Sequence, residues 1–302
     1  MTRSQLRQLF GGLGAIIMLS SCSPNITQAP DETVADAAST DTATVSQAAL
    51  QDAPQTIVAL TSVSADIVHT LAADTLVGIP GSPLLTNDPR FEGLTVVSSG
   101  RTEPDLETIV ALKPDLVIGA AGFHDKTLER LTDLEVNVVS ADIKSWESLK
   151  TFTQILATQL NVDPTPLVER YDACLAKASD SGATAIVLAS RDPILSPSRE
   201  SWAGDFLEQF NIQNLTADLQ GQSEFQGYIT LSAEKILEMN PEQLFFIDSG
   251  GGIQAEIAQL ETDSFWGQLS AVQTNQVYPF NYHGLINPGS IESIERVCET
   301  LG

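Results

Sequence analysis

The sequence predicts an α/β protein: two parallel-sheet lobes joined by a long connecting helix, with a ligand cleft between the lobes. Three observations predict it. Short β-branched apolar runs alternate with stretches of helical spacing along the body of the chain, and such alternation builds parallel sheets covered by helices. Near the middle the alternation lapses, since residues 145–160 and 164–179 both have helical spacing with no strand between them. The chain also repeats itself. Residues 106–118 (LETIVALKPDLVI) align with residues 233–245 (AEKILEMNPEQLF) at an offset of 127, with Glu on Glu, Ile on Ile, Pro on Pro and an acid after each proline. Residues 57–60 (IVAL) and 186–189 (IVLA) echo each other at an offset of 129. Two matches at nearly one offset point to duplicated lobes.

The elements follow in order. Residues 1–21 carry Arg3 and Arg7, then a short apolar run and small residues. This pattern is an export signal, too short to span a bilayer as a stable helix. It ends in Leu19-Ser20-Ser21-Cys22, which matches the lipobox of bacterial lipoproteins. Cleavage before Cys22 and a diacylglyceryl anchor on its thiol are therefore expected; an ordinary cleaved signal beside a chance cysteine is the alternative. Residues 22–55 are rich in Ala, Thr, Ser, Asp and Pro and lack aromatics. Such a segment cannot bury enough surface to offset its ordering entropy and reads as a disordered linker.

Residues 56–163 form the expected N-terminal lobe. Residues 56–60 (TIVAL) read as a buried strand, and Thr61, Ser62 and Ser64 offer caps for a helix over 65–72. A strand at 76–79 stops at Pro80-Gly81. Helices at 105–112 and 125–135 alternate with strands at 116–119 and 137–140. The connecting helix is assigned to residues 164–181 and the C-terminal lobe to 182–302. That lobe has strands at 183–189, 243–248 and 276–278, and a closing helix at 290–301.

Composition narrows the function. Acids outnumber bases 39 to 15, for a net charge of −24, a field that excludes nonspecific binding to nucleic acid or an anionic membrane surface. Enzyme signatures are missing: the sequence has no Gly-x-Ser-x-Gly elbow, no Walker loop and no His-Glu-x-x-His. The three cysteines are too few for a disulfide-built scaffold. With Cys22 reserved for lipid, Cys174 and Cys298 remain in an oxidising compartment, where a disulfide between them is expected; two buried free thiols are the alternative.

In parallel α/β sheets ligands sit beyond the carboxyl ends of the strands. Arg101, Arg191 and Arg199 fall on such loops, and a guanidinium fork suits the carboxylate, hydroxamate or catecholate oxygens around ferric iron. Each could equally pair with a local carboxylate. Phe123, Trp202, Tyr228 and Tyr282 offer flat contact surface for a bulky ligand, or simple core. His124 and His283 lie on loops of opposite lobes, where with Tyr282 or a carboxylate they could ligate a metal. His69 lies on a helix and reads as structural. Residues 249–252 (SGGG) could cradle an anion or form a plain turn.

The segment from residue 56 to 301 resembles the class III substrate-binding proteins of ABC importers, the family that captures ferric siderophores, cobalamin and haem. The motifs that carry the resemblance are TIVALTSVSADIVHTL (56–71), EPDLETIVALKPDLVIGA (103–120), ITLSAEKILEMNPEQLFFI (229–247) and SFWGQLSAVQTNQVYPF (264–280). The closing YHGLINPGSIESIE (282–295) is similar to the iron-uptake members. The resemblance implies capture of an iron-siderophore complex and its delivery to a permease dimer with its ATPase. Haem, cobalamin or metal-ion binding is the alternative of the same class, and a periplasmic hydrolase the alternative of another. It implies no resident cofactor, a transported ligand containing ferric iron, and a lipid-anchored periplasmic or cell-surface location. It also implies one acidic residue per lobe docking on the permease. The repeat puts Glu107 and Glu234 in those places, though an acid in a first helical turn also complements the helix dipole without any partner.

Overall fold

The apolar run that opens the body becomes the middle of a sheet. In the computed structural model, which describes residues 52–99, 102–219, 226–248 and 253–302, Ile57–Ala59 (β1) is wholly buried and has a parallel neighbour on each side. The export signal, Cys22 and almost all of the linker lie outside the described residues. Thr61 caps the next helix, Ser62–Ala72 (α1), by accepting the Ser64 amide. Leu76–Pro80 (β2), the short helix Pro83–Thr86 (α2) and Thr95–Ser98 (β3) follow. Leu106–Ala111 (α3), Leu116–Ala120 (β4), Asp125–Asp133 (α4) and Val138–Ala141 (β5) complete the lobe. The strand order is β3-β2-β1-β4-β5, parallel at every pairing.

Two helices run between the sheets, Trp146–Leu160 (α5) and Thr165–Leu175 (α6). Ser145 and Ser148 form a capping box at the head of α5, and Asn161 ends it in the left-handed conformation. The helix expected over 164–181 stops at Leu175, so the longer of the two connecting helices is α5.

The second lobe opens with Thr184–Leu188 (β6), then Ser190–Arg191 (β7), Ile194–Pro197 (β8), Trp202–Gln209 (α7), Gln213–Asn214 (β9) and Tyr228–Thr230 (β10). Ala233–Met239 (α8), Gln243–Ile247 (β11), Ile253–Thr262 (α9), Ser270–Gln273 (α10) and Val277–Phe280 (β12) come next. A kinked turn, Tyr282–Leu285 (α11), leads to the last helix, Ile291–Leu301 (α12). The main sheet is β12-β11-β6-β9, parallel throughout. The segment carrying Arg191 and Arg199, expected as loop, instead contains β7 and β8. With β10 they make a separate antiparallel sheet, so the lobe is not purely parallel. A two-residue connection at Asp192 and Pro193 makes β7 and β8 a hairpin, and hairpins pair antiparallel by construction.

The duplication is visible in the topology. The order β2-β1-β4-β5 in one sheet matches β9-β6-β11-β12 in the other. A shared clamp also explains the acid after each repeated proline. Asp115 accepts the amides of Gln55 and Thr56 at 2.8 and 2.9 Å and the Thr56 hydroxyl at 2.9 Å. Glu242 accepts the amide and hydroxyl of Thr184 at 2.9 and 3.2 Å. Each acid ties the entry of its own strand to the entry of the lobe's central strand.

One apolar core runs through both lobes and the helices between them. Trp146, at the head of α5, packs on Trp202 of α7 with ring centroids 5.5 Å apart, and its amide donates to Asp205 of α7 at 2.8 Å. Asp66 of α1 is buried; it accepts from Arg90 at 2.9 Å and from the Ile291 amide of α12 at 2.8 Å. Arg170 of α6 forks onto Glu295 of α12, both contacts 2.8 Å. A disulfide joins Cys174 and Cys298 on the same two helices, Cα to Cα 5.5 Å.

Candidate functional site

Loops at the carboxyl ends of parallel strands are the places where such sheets meet ligands. After β4 the chain turns into α4 through Phe123 and His124. The His124 ring is buried, and its Nδ1 accepts the Ala120 amide at 2.9 Å. That bond puts the proton of the neutral imidazole on Nε2. Burial lowers the His124 pKa, with Asp125 opposing, so the ring is neutral at pH 7. Gly119 makes room beneath it: a Cβ there would lie 3.0 Å from His124 Cβ and from the Leu128 methyls. Phe123 is the opposite case, 77% exposed, its ring edge-on to His124 at 4.8 Å. Covering such a ring removes apolar surface from water, so a flat apolar partner is favoured there.

The second lobe repeats the theme after β12. Tyr282 is half exposed and meets His283 edge to face at 5.3 Å. Burial raises the Tyr282 phenol pKa. Burial, and then the neighbouring Tyr282, raise that of Tyr228, whose hydroxyl donates to the Ile286 carbonyl at 3.3 Å. Gly284 has φ of +104°, and a side chain there would strike the Ser293 carbonyl. Burial lowers the His283 pKa, with Asn287 opposing. Nδ1 of His283 is enclosed without a hydrogen-bond partner, and a Cβ at Gly289 would lie 2.8 Å from it.

The arginines have company. Arg191, on β7, donates to Glu256 of α9 at 3.0 Å and lies over the Phe246 ring of β11, 5.8 Å from its centroid. Arg199 forks onto Asp218, both contacts 3.0 Å. Arg101 and residues 249–252 lie outside the described residues. Trp202, expected as ligand surface, is 3% exposed. Its indole N–H donates to the Gly284 carbonyl at 2.8 Å, and Trp146 and Phe206 flank its ring. It stiffens the loop that carries Tyr282 and His283 from below. The reason is area: an indole buried among rings withdraws far more apolar surface from water than one on a loop. His69 meets Phe91, ring centroids 4.9 Å apart, as a structural histidine would.

Glu107 and Glu234 occupy matching second positions of α3 and α8, behind the N-caps Asp105 and Ser232. Both are exposed. Among the described residues no group of three or more His, Cys, Asp or Glu is disposed to hold a metal ion, and no helix is long and apolar enough to cross a membrane. The partners of the arginines were not readable from sequence: Glu256 is 65 positions from Arg191, and its place in the first turn of a helix signals only dipole compensation.

Comparisons with known proteins agree with this fold. A family model described as "Periplasmic binding protein" matches residues 57–281. The "Iron-uptake system-binding protein" of Bacillus subtilis is 22% identical over 209 residues, 65% of this chain and 64% of that protein. The chain thus spans just under two thirds of that relative's length. The "Fe(3+)-citrate-binding protein YfmC" of the same organism is 26% identical over 239 residues, 74% of this chain and 72% of that one. The solved structure of a periplasmic vitamin B12 binding protein from Vibrio cholerae has a TM-score of 0.61 at 21% identity, covering 82% of this chain and 97% of that one. That likeness is one of fold.

Proposed function

This chain belongs to the periplasmic binding protein family, and from that premise we propose that it captures a ferric chelate outside the cytoplasmic membrane and hands it to an ABC importer. The observation that carries the reading is the aromatic–histidine pair at the carboxyl edge of each lobe, Phe123 with His124 and Tyr282 with His283. Each pair sets an exposed ring beside a neutral imidazole that is buried in the first lobe and partly shielded in the second. Such a surface suits a bulky chelate with apolar flanks and oxygen acceptors. The two relatives whose names mention iron point the same way.

The experiment is native mass spectrometry of protein purified from its own host, followed by fluorescence titration with ferric chelates. A retained ferric siderophore or ferric citrate supports the reading. Haem, cobalamin or a bare metal ion as the retained species overturns it in favour of another cargo of the same class, and turnover of a substrate overturns it in favour of a hydrolase.

Delivery needs a docking surface. Glu107 and Glu234, exposed and equivalent in the repeat, are assigned to grip the two halves of a permease dimer that works with an ATPase. Matched charges on the two lobes orient an encounter and speed it. Changing both to Ala is expected to leave folding and ligand affinity intact and to abolish uptake. A lower melting temperature with normal uptake would show that the two acids only serve their helices. The anchor is assigned to the Cys22 thiol. Replacing Cys22 by Ala is expected to release the protein from the membrane fraction into the soluble one, while a membrane-retained variant would reject the lipid.

A further inference from the structure

One ion pair bears on the charge of the cargo. Arg191 stands at the carboxyl end of the second sheet, where β6 gives way to the hairpin, with its guanidinium over Phe246 near the end of β11. It is the kind of group that would grip an anionic chelate. Yet its Nη2 is already 3.0 Å from Glu256 Oε2. The Glu256 side chain is only 9% exposed, while that of Arg191 is 31% exposed. Arg199 differs: its pair with Asp218 is open to water on both sides, 53% and 79% exposed. An exposed pair exchanges partners at little cost, whereas separating a shielded one breaks a charge-assisted bond that water does not readily replace. A ligand can therefore displace Asp218 far more easily than Glu256.

Among the described residues the surroundings of the pair are mostly acidic, with Arg199 held by Asp218. Among the described residues of the same strand-end loops stand Asp192, Glu200, Asp218 and Asp248, in a chain of net charge −24.

We propose that Glu256 is a specificity-determining residue: as a built-in counter-anion it neutralises Arg191 and tunes the site to uncharged or cationic ferric chelates, against polyanionic ones. This rests on the ferric-chelate reading of the same site. A trianionic chelate has to displace a shielded carboxylate in a negative field. An uncharged trihydroxamate complex meets a pair that is neutral overall.

The test uses the mature protein and two probes, an uncharged ferric trihydroxamate and a trianionic ferric tris-catecholate, titrated by intrinsic fluorescence. The wild type is expected to bind the uncharged probe at least about tenfold more tightly than the trianion. Glu256→Gln preserves the shape and one acceptor while uncovering the Arg191 charge, and is expected to narrow that gap by about tenfold. Adding Arg191→Met to Glu256→Gln is expected to abolish the narrowing. Asp218→Asn is expected to shift the ratio by about twofold at most, as befits an exposed pair. The proposal is overturned if the wild type prefers the trianion, or if a folded Glu256→Gln variant keeps the wild-type ratio. Should that variant fail to fold, salt dependence of the wild type decides. Repulsion predicts trianion binding that strengthens or holds as sodium chloride is raised, and binding that weakens steeply would show an available guanidinium. If neither probe binds but the host-purified protein carries some other cargo, the ferric-chelate reading falls first and takes the proposal with it.

Discussion

Asp205 and Asp66 do similar work in different surroundings. Each is a helical carboxylate that accepts the first amide of a helix distant in sequence, Asp205 for α5 and Asp66 for α12. Asp66 has a guanidinium beside it. Asp205 has none among the described residues; burial raises its pKa, and the nearby Glu208 and Glu147 push the same way, against the hydrogen bonds from the Trp146 amide and Gln209. A carboxyl whose folded pKa is raised is most favourable when protonated. Its pH-linked contribution is full below the unfolded value and is lost as pH rises through the folded value. Asparagine keeps a carbonyl acceptor for the Trp146 amide and carries no charge. Asp205→Asn is therefore expected to be at least as stable as the wild type at pH 7.5, with the advantage shrinking toward pH 4. Asp205→Ala strands the amide and is expected to cost about 1–2 kcal/mol. Urea unfolding of the three proteins at both pH values checks this, and a variant order independent of pH would reject it.

The proline-acid clamps set the elements in place. In the first lobe the Gln55 amide above all holds the Asp115 pKa below its ordinary 3.8; burial opposes it, and the Thr56 hydroxyl and amide add to the lowering. The sign is the reverse of that for Asp205: a depressed carboxyl stabilises above its unfolded pKa, and the contribution is lost as pH falls through the folded value. Asp115→Asn is expected to be less stable than the wild type at neutral pH and to match it in strong acid, below the depressed pKa. Parallel acid titrations by circular dichroism would show the two curves converge; curves that stay apart would mean the clamp is not electrostatic. Helix, proline, acid and strand recur at one spacing, so the repeat was legible along the chain. What the acid does was not, because Thr56 lies 59 residues from Asp115 and Thr184 lies 58 from Glu242. Edge strand β3 escaped the pattern because Val96 is exposed beside buried Val97, which breaks the continuous apolar run of a central strand. The antiparallel sheet escaped because β7 has only two residues and shows no period. The strand-end positions of Phe123, His124, Tyr282 and His283 were legible since strand ends can be located from apolar runs. The burial of Trp202 and the carboxylates facing Arg191 and Arg199 depend on chain segments that meet only in the fold.

Across the whole molecule, α6 and α12 are fastened by covalent and ionic contacts together. The Cys174–Cys298 bridge closes a separation of 124 residues, and Arg170 with Glu295 adds a second tie between the same helices. Cross-linking so long a loop restricts the unfolded chain, and replacing both cysteines by serine is expected to cost about 2–4 kcal/mol. Ligand affinity should be unchanged, because both sulfurs belong to the buried core. Chemical unfolding of the serine variant gives the cost. Thiol titration of denatured, unreduced mature protein should find no reactive thiol, and two would refute the bridge. The reach of α12 also has a consequence in time. Its first amide completes the shell of Asp66, 225 residues upstream. A chain that emerges from its amino end offers α1 early, with half of that carboxylate's partners still to come. Contacts so distant in sequence form late, so the first lobe stays unfinished until nearly the last residue has appeared.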